Sequence, residues 1–478
     1  MTDVAFAYHH PETRTPELAD DHAFRTLGAR FRGQFLRPGG DDYDTARRVW
    51  NGSIDRRPAL IARCMGVADV RAALDLARAQ QLLVSVRGGG HNVTGNAVCD
   101  GGVVVDLSAM KGVQVDPARR TAQVEAGVLW GELDRETQAV GLATTGGVMS
   151  TTGVAGFTLG GGIGWLMRRY GLACDNLLSA GVVTADGQYL TASATENMDL
   201  FWGIRGGGGN FGIVTSFEFQ LHQVGPTVLA GLRFYPLEQA PRLLRVHRDF
   251  VATAPNDLTT IAILRKAPAA PFLPPEVRGT PVLIIALCYA GPVEEGQRVI
   301  RPLDALGQPL VDLIGPMPYL DMQRFGDGSW APGYQNYWKS HYLVGLSDGA
   351  IDTLVAHAER ISSPLSDMKI AHMQGAVSRV DEDATAFGHR AAPFNLNVNT
   401  RWSDPSEADQ HIAWTHGLFE AMKPYSTGGV YVNFLGDEGE DRVKAAYSAA
   451  QFQGLTALKN TYDPTNVFRL NQNIKPTV

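Results

Sequence analysis

The chain has 478 residues, a formal net charge of −7, and 44% hydrophobic against 19% charged residues. That length exceeds one ordinary core and points to two domains, while the apolar share excludes a disordered chain. The acidic balance, with no basic stripe, argues against a nucleic-acid partner or an anionic membrane surface.

In chain order, the opening MTDVAFAYHHPETRTPELADDHAF carries early acids and no apolar core segment, so no secretory signal is expected. From Val67, VADVRAALDLARAQQL sets Val67, Val70, Ala73, Leu74 and Ala77 on one helical face. LLVSVRGGG then reads as a strand running into a glycine turn, and GGVVVDLSAM repeats the theme. VVTADGQYLTA predicts a hairpin with Asp186-Gly187 as a two-residue loop. Phe217, Phe219 and Leu221 alternate with Glu218, Gln220 and His222, as in a half-buried strand. Near Gln223 glycines thin out, and a second domain is expected from about 225 to 424. In it, KAPAAPFLPPE predicts a surface loop and AIDTLVAHAERI a helix. VLIIALCYA predicts a buried strand, too short to span a bilayer. Cys64, Cys99, Cys174 and Cys288 are scattered without a CxxC pair, which predicts free thiols in a cytoplasmic protein, with neither a disulfide framework nor a zinc site.

Glycine supplies 53 residues, densest in GGVMSTTGVAGFTLGGGIG and RGGGGNFG, where threaded apolar residues imply backbone pressed against a neighbour. GGGNFG matches GxGxxG, but a strand-like IVTSFEFQL follows where a dinucleotide fingerprint requires a helix. GLSDG matches GxSxG. Ser347 there has two readings, a nucleophile elbow or an N-cap for the following helix. Neither GxxxxGK[ST] nor HExxH occurs. In SVRGGGHN, three glycines remove every Cβ ahead of His91, so a flat ligand could lie against the backbone. An imidazole nitrogen is a competent nucleophile toward an electrophilic carbon such as a flavin 8-methyl; a purely structural histidine is the other reading.

In order stand VRGGGHN, VEAGVLWGEL, TTGGVMSTTGVAGFTLGGGIGWLMRRYGLACDN, DLFWGIRGGGGNFGIVTSFEF, YVNF and YDPTNVFRLNQNI. Together they closely resemble the FAD-linked oxidases of the vanillyl-alcohol oxidase superfamily, in the berberine-bridge-enzyme-like branch. The resemblance spans about 59–474 and is weakest between 225 and 370. It implies an α+β fold: a two-part FAD-binding domain (1–222 and 422–478) with an inserted substrate domain (223–421), an antiparallel sheet backed by helices. It implies that Arg87, Gly88, Gly89, Gly90 and Asn92 wrap the FAD pyrophosphate, with His91 bonded to the flavin 8α carbon. Val148, Thr152, Gly153, Gly156, Gly160, Gly161 and Gly164 would line the ring and ribityl chain. Ile213 and Val214 would lie near the adenine, and Asn433 and Asn471 would hold the cofactor from the tail. Many relatives add a cysteine tether just before the glycine run. Met149 stands there in this chain, and Cys174 lies downstream, so attachment through His91 alone is expected.

The implied activity is hydride transfer from a small alcohol, amine or natural-product substrate to FAD, with O₂ as final acceptor giving H₂O₂. An oligosaccharide oxidase of the same fold is the alternative, and a hydrolase using Ser347 the alternative of another class. Tyr431, in a Y-x-N motif, is implied as base. With a reference pKa of about 10 it needs a nearby cation or dipole, and a packing role is its other reading. Tyr337 and Lys339 in NYWKSHY and His372 in KIAHMQGAVSRV are further catalytic candidates, and the resemblance ties Thr152 to oxygen access.

Overall fold

The computed structural model describes residues 31–478; the opening stretch read for a leader lies outside the described residues. Strands β1 (Gln34–Leu36), β2 (Leu60–Arg63), β3 (Val84–Arg87) and β4 (Val103–Asp106) form a sheet in the order β1-β2-β4-β3, with β2 and β3 parallel to β4. The helix Val67–Ala79 makes the crossover between β2 and β3 that parallel strands require. It buries Val70, Ala73, Leu74 and Ala77, the face its spacing sets out.

Five antiparallel strands form the next sheet: β5 (Val113–Asp116), β6 (Thr121–Glu125) and, beyond the short β7 (Leu142–Ala143), β8 (Leu177–Val183), β9 (Tyr189–Ser193) and β10 (Ile213–Gln220), in the order β5-β6-β10-β8-β9. β10 buries Phe217 and Phe219. It follows GGGGNFG directly, so the helix of a dinucleotide fingerprint does not form there. The β8–β9 turn differs from expectation. Val183 pairs with Tyr189, and Thr184 N–H donates to Gln188 O at 2.9 Å. Ala185, Asp186 and Gly187 therefore make a three-residue loop. Gly187, at φ +85, takes the left-handed last position that such a loop needs.

Strand β11 (His222–Gln223) pairs with β7 and leads into an eight-stranded antiparallel sheet. Its strands are β12 (Thr227–Pro236), β13 (Leu258–Lys266), β14 (Pro281–Tyr289), β15 (Val311–Asp312), β16 (Gly315–Pro318), β17 (Gln335–Leu343), β18 (Asp367–His372) and β19 (Phe394–Trp402). The order is β15-β12-β14-β13-β18-β19-β17, with β16 added to β12. The helices Ala240–Val251, Asp348–Ala358 and Ala408–Met422 cover one face, where Leu243, Leu354 and Leu418 pack on Leu264, Ile370, Leu396 and Val398. Each such fully buried aliphatic side chain stabilises by about 1.5–3 kcal/mol. The other face carries Ile261 and Ala371 into the core shared with the first two sheets. The proline-rich segment is a loop, yet it buries Ala267 and Leu273 against Phe234 and Ile284.

The helix Ala449–Tyr462 then returns the chain to the first sheets, where Leu455 and Leu458 join the same core. Among the described residues no helix is long and apolar enough to cross a membrane. All four cysteines are buried and free.

Candidate cofactor and substrate site

A cavity lies between the glycine-rich turns and the face of the large sheet that the helices Ala240–Val251, Asp348–Ala358 and Ala408–Met422 leave uncovered. Gly88, Gly89, Gly90, His91 and Asn92 line it as β3 ends, together with Val148, Met149, Thr152, Gly153 and Gly156. The 207–210 loop, Ile213 and Val214 line it with Asn471 and Gln472 of the tail. Ile261, Lys369, Ala371, Asn395, Asn397 and Asn399 form the sheet wall, beside Trp330, Trp338, Tyr431 and Asn433.

The glycines fall into two kinds. A Cβ on Gly89 would stand 2.6 Å from both N and Cα of Gly153, so these turns touch backbone to backbone. Among the described residues, a Cβ on Gly156 or Gly209 meets no atom within 4 Å beyond its own local backbone, and both glycines line the cavity. The peptide N–H groups of Gly88, Gly89, Gly90 and His91 find no acceptor among the described residues, and Gly90 turns the chain at φ +63. Unpaired peptide donors on a turn stripped of side chains suit phosphate oxygens. These residues fit an FAD.

His91 stacks on Trp50, with centroids 4.5 Å apart and planes 15° from parallel. Its Nε2 is buried with no hydrogen-bond partner among the described residues, an uncommon state for a polar atom. Burial lowers its pKa to about 4, the Lys369 ammonium contributing, so the ring is neutral and nucleophilic near pH 7. Tyr431 Oη accepts from Gly162 N–H and from Asn433 Nδ2, both at 2.8 Å. Both bonds favour the phenolate, yet burial outweighs them and raises the pKa. Asn433 also donates to Phe157 O at 3.0 Å, and Asn471 donates to Gly209 O at 3.2 Å.

Other residues singled out in the sequence stand elsewhere. The Arg87 guanidinium turns to the Ala46 carbonyl rather than to the cavity. Gly160, Gly161 and Gly164 answer to protein neighbours: added Cβ atoms would strike Asn433, Phe387 and the Gly146 carbonyl. Side chains alternate across a strand, so Trp338 faces the cavity while Tyr337 and Lys339 face the helix Ala408–Met422. Tyr337 Oη bonds His416 Nε2 at 2.9 Å, and Lys339 pairs with Glu438 at 2.6 Å. His372 lies 2.9 Å from Arg168 Nη1 and 3.1 Å from Gln374 Oε1, outside the cavity lining. Burial lowers its pKa to about 3. Ser347 Oγ accepts from Ala350 N–H at 3.2 Å, the N-cap arrangement. Cys174 is fully buried away from the cavity, and burial pushes its thiol up.

No motif in the sequence points to Lys369 or to the three asparagines of β19 as site residues. Their signal was present in FNLNVNTRW, where Asn395, Asn397 and Asn399 alternate with Leu396 and Val398. Buried polar residues at period two on a core strand mark a face turned to something polar.

Comparison with known proteins agrees with this architecture. Residues 58–193 match an FAD binding domain, and residues 430–475 match the berberine and berberine-like domain. The chain is 30% identical over 454 residues to the uncharacterized FAD-linked oxidoreductase YgaK of Bacillus subtilis, covering 94% of this chain and 98% of that one. It is 29% identical over 452 residues to (R)-6-hydroxynicotine oxidase of Paenarthrobacter nicotinovorans, covering 93% and 97%. The crystal structure of 6-hydroxy-D-nicotine oxidase from Arthrobacter nicotinovorans superposes with a TM-score of 0.85 at 27% identity, over 93% of this chain and 98% of that one. Fold and site thus define an FAD-linked oxidoreductase. Within that class the chain belongs to the berberine-like family.

Proposed function

We propose that this enzyme oxidises a small alcohol, amine or natural-product substrate, with FAD tethered through His91 alone and O₂ as final acceptor, giving H₂O₂. The reading rests chiefly on the His91 ring, which lines the cavity, is neutral through burial, and carries an Nε2 with no partner among the described residues. Residues 1–222 and 422–478 then hold the cofactor, and residues 223–421 bring the substrate wall. FAD supplies a two-electron acceptor for a hydride from a substrate C–H.

The protein's own groups have separate tasks. The N–H groups of Gly88, Gly89 and Gly90 bind phosphate oxygens, while Gly156 and Gly209 leave room for the body of the cofactor. Trp50 fixes the plane of the imidazole. Met149 on the same wall offers no thiol, which supports a single tether. Trp330 and Trp338, 5.8 Å apart and edge to face, give a ring-bearing substrate an apolar wall and exclude water. Tyr431 accepts two hydrogen bonds, and its raised pKa keeps its proton in place near pH 7. That environment suits a donor placing a substrate oxygen or nitrogen better than the base role expected from Y-x-N.

Intact mass under denaturing conditions tests the tether. Wild type should exceed the chain's 51.6 kDa by one FAD, and His91→Ala should match the bare chain. Wild type at the bare mass refutes the tether. Peroxide release during turnover tests the acceptor; its absence reassigns the enzyme as a dehydrogenase.

A further inference from the structure

One amine projects from the sheet wall into the cavity. Lys369 Nζ sits 3.5 Å from the centroid of the Trp330 ring, and the register places Lys369 between Ile263 of β13 and Asn397 of β19. Among the described residues no acceptor hydrogen-bonds this ammonium. The charged and titratable groups facing it are Arg265 from β13, Asp367 from its own strand, Arg401 from β19 and His91 from across the cavity.

The charges do not balance. Asp367 is the single carboxylate in this set, is fully buried, and already accepts from Asn399 Nδ2 at 2.8 Å. Arg401, also fully buried, donates to the Leu365 carbonyl and lies 4.1 Å over the same Trp330 ring. Arg265 donates to Lys266 O at 3.0 Å. Three cations therefore share one carboxylate, and the cation without a hydrogen-bond acceptor is the one lining the cavity. Beside it, Asn397 Oδ1 and Asn399 Oδ1 are buried without partners among the described residues. A half-buried cation that shares its one nearby carboxylate with two arginines is costly to leave without a hydrogen-bond acceptor, and an incoming carboxylate makes short, charge-assisted bonds to it.

We infer that Lys369 anchors an anionic group of the substrate, which is a carboxylate-bearing alcohol or amine lying against Trp330 and Trp338. The asparagine amides offer hydrogen bonds to its hydroxyl or amino groups. This deepens the oxidase reading and rests on it for the reaction, but the anchor itself is tested without turnover. Burial lowers the Lys369 pKa to about 8, Asp367 opposing and the two arginines adding to the drop. The anchor is therefore charged at pH 7 and loses its charge above about pH 8.

The experiment compares benzoate, phenylacetate and mandelate with their uncharged amides on the protein as purified, read by thermal shift and by tryptophan fluorescence. At pH 7 at least one acid should bind tenfold or more tightly than its amide. The preference should vanish in Lys369→Met, persist in Lys369→Arg, and shrink between pH 7 and pH 9 in wild type. The inference is overturned if no acid outbinds its amide in wild type, or if the preference survives in Lys369→Met. Should Lys369→Met not fold, the wild-type pH profile decides, a flat profile overturning the inference. Flavin absorbance of the same sample separates the two readings. A colourless protein that prefers acids refutes bound FAD and upholds the anchor; a yellow protein without the preference does the reverse.

Discussion

At the scale of the residue, the two kinds of glycine lead to opposite expectations for the same substitution. Gly89→Ala drives a methyl group to 2.6 Å from Gly153 N and Cα, and backbone cannot swing aside as a side-chain end can. Overpacking of this kind costs about 1–3 kcal/mol. Gly156→Ala adds its methyl group within the helix Val154–Leu159, where alanine is favoured over glycine by about 0.5–1 kcal/mol, and on the cavity side the methyl meets no described residue beyond its local backbone. Urea unfolding should therefore show Gly89→Ala destabilised and Gly156→Ala unchanged or slightly stabilised. The flavin-to-protein absorbance ratio should fall in both, in the second for want of space alone. Full flavin content in Gly156→Ala would show that the cofactor does not occupy the space before that residue.

Between elements, the helix Trp130–Gln138 meets the helix Tyr319–Arg324 through Asp134, a fully buried carboxyl that accepts from Gln323 Nε2 at 2.9 Å. Burial raises its pKa to about 7, Gln323 and Arg324 opposing; in an unfolded chain it is about 3.9. Between pH 4 and pH 7 the folded state keeps a proton that the unfolded state has released. Stability from this group is thus complete below about pH 4 and declines as pH rises to 7, by about 4 kcal/mol in all. Asp134→Asn should match wild type near pH 4 and exceed it at pH 8, with urea midpoints at pH 4.5, 6 and 8 as the measurement; parallel profiles would remove Asp134 from the account. Elements differ in how much of their role the sequence discloses. The glycine turn before His91 and the Phe217/Phe219 alternation are local patterns, and they were legible. Tyr337, Lys339 and His372 stand off the cavity lining for a physical reason. Period two tells which residues share a face, but which face meets the cavity depends on where the helices Ala240–Val251, Asp348–Ala358 and Ala408–Met422 pack, contacts remote in sequence. Lys369 is missed for the same reason, since only the strand pairing brings it opposite Asn397.

Across the whole molecule, the cavity depends on the last residues of the chain being fastened to its first half. One amine does much of the fastening. Lys459, fully buried in the helix Ala449–Tyr462, donates to Asn210 O at 2.9 Å, to Phe468 O at 2.9 Å and to Asp463 Oδ2 at 2.7 Å. Asn210 in turn donates to Gln472 O at 3.1 Å and accepts from Ile474 N–H at 3.0 Å. Asp463 takes the N–H groups of Val467 and Phe468. The 207–210 loop and the tail thus form one hydrogen-bonded unit, and both halves line the cavity. Lys459→Met keeps the length of the side chain but leaves Asp463 buried without its cation, which costs about 3–5 kcal/mol. Because the loop and the tail share that amine, they should loosen together. Hydrogen exchange should quicken in residues 207–212 and 467–474 to a similar degree, while the sheet of β12 to β19 stays protected, and flavin content should fall in step. Faster exchange confined to the tail would mean that the 207–210 loop stands without Lys459, and that the cavity is closed by the first half of the chain alone.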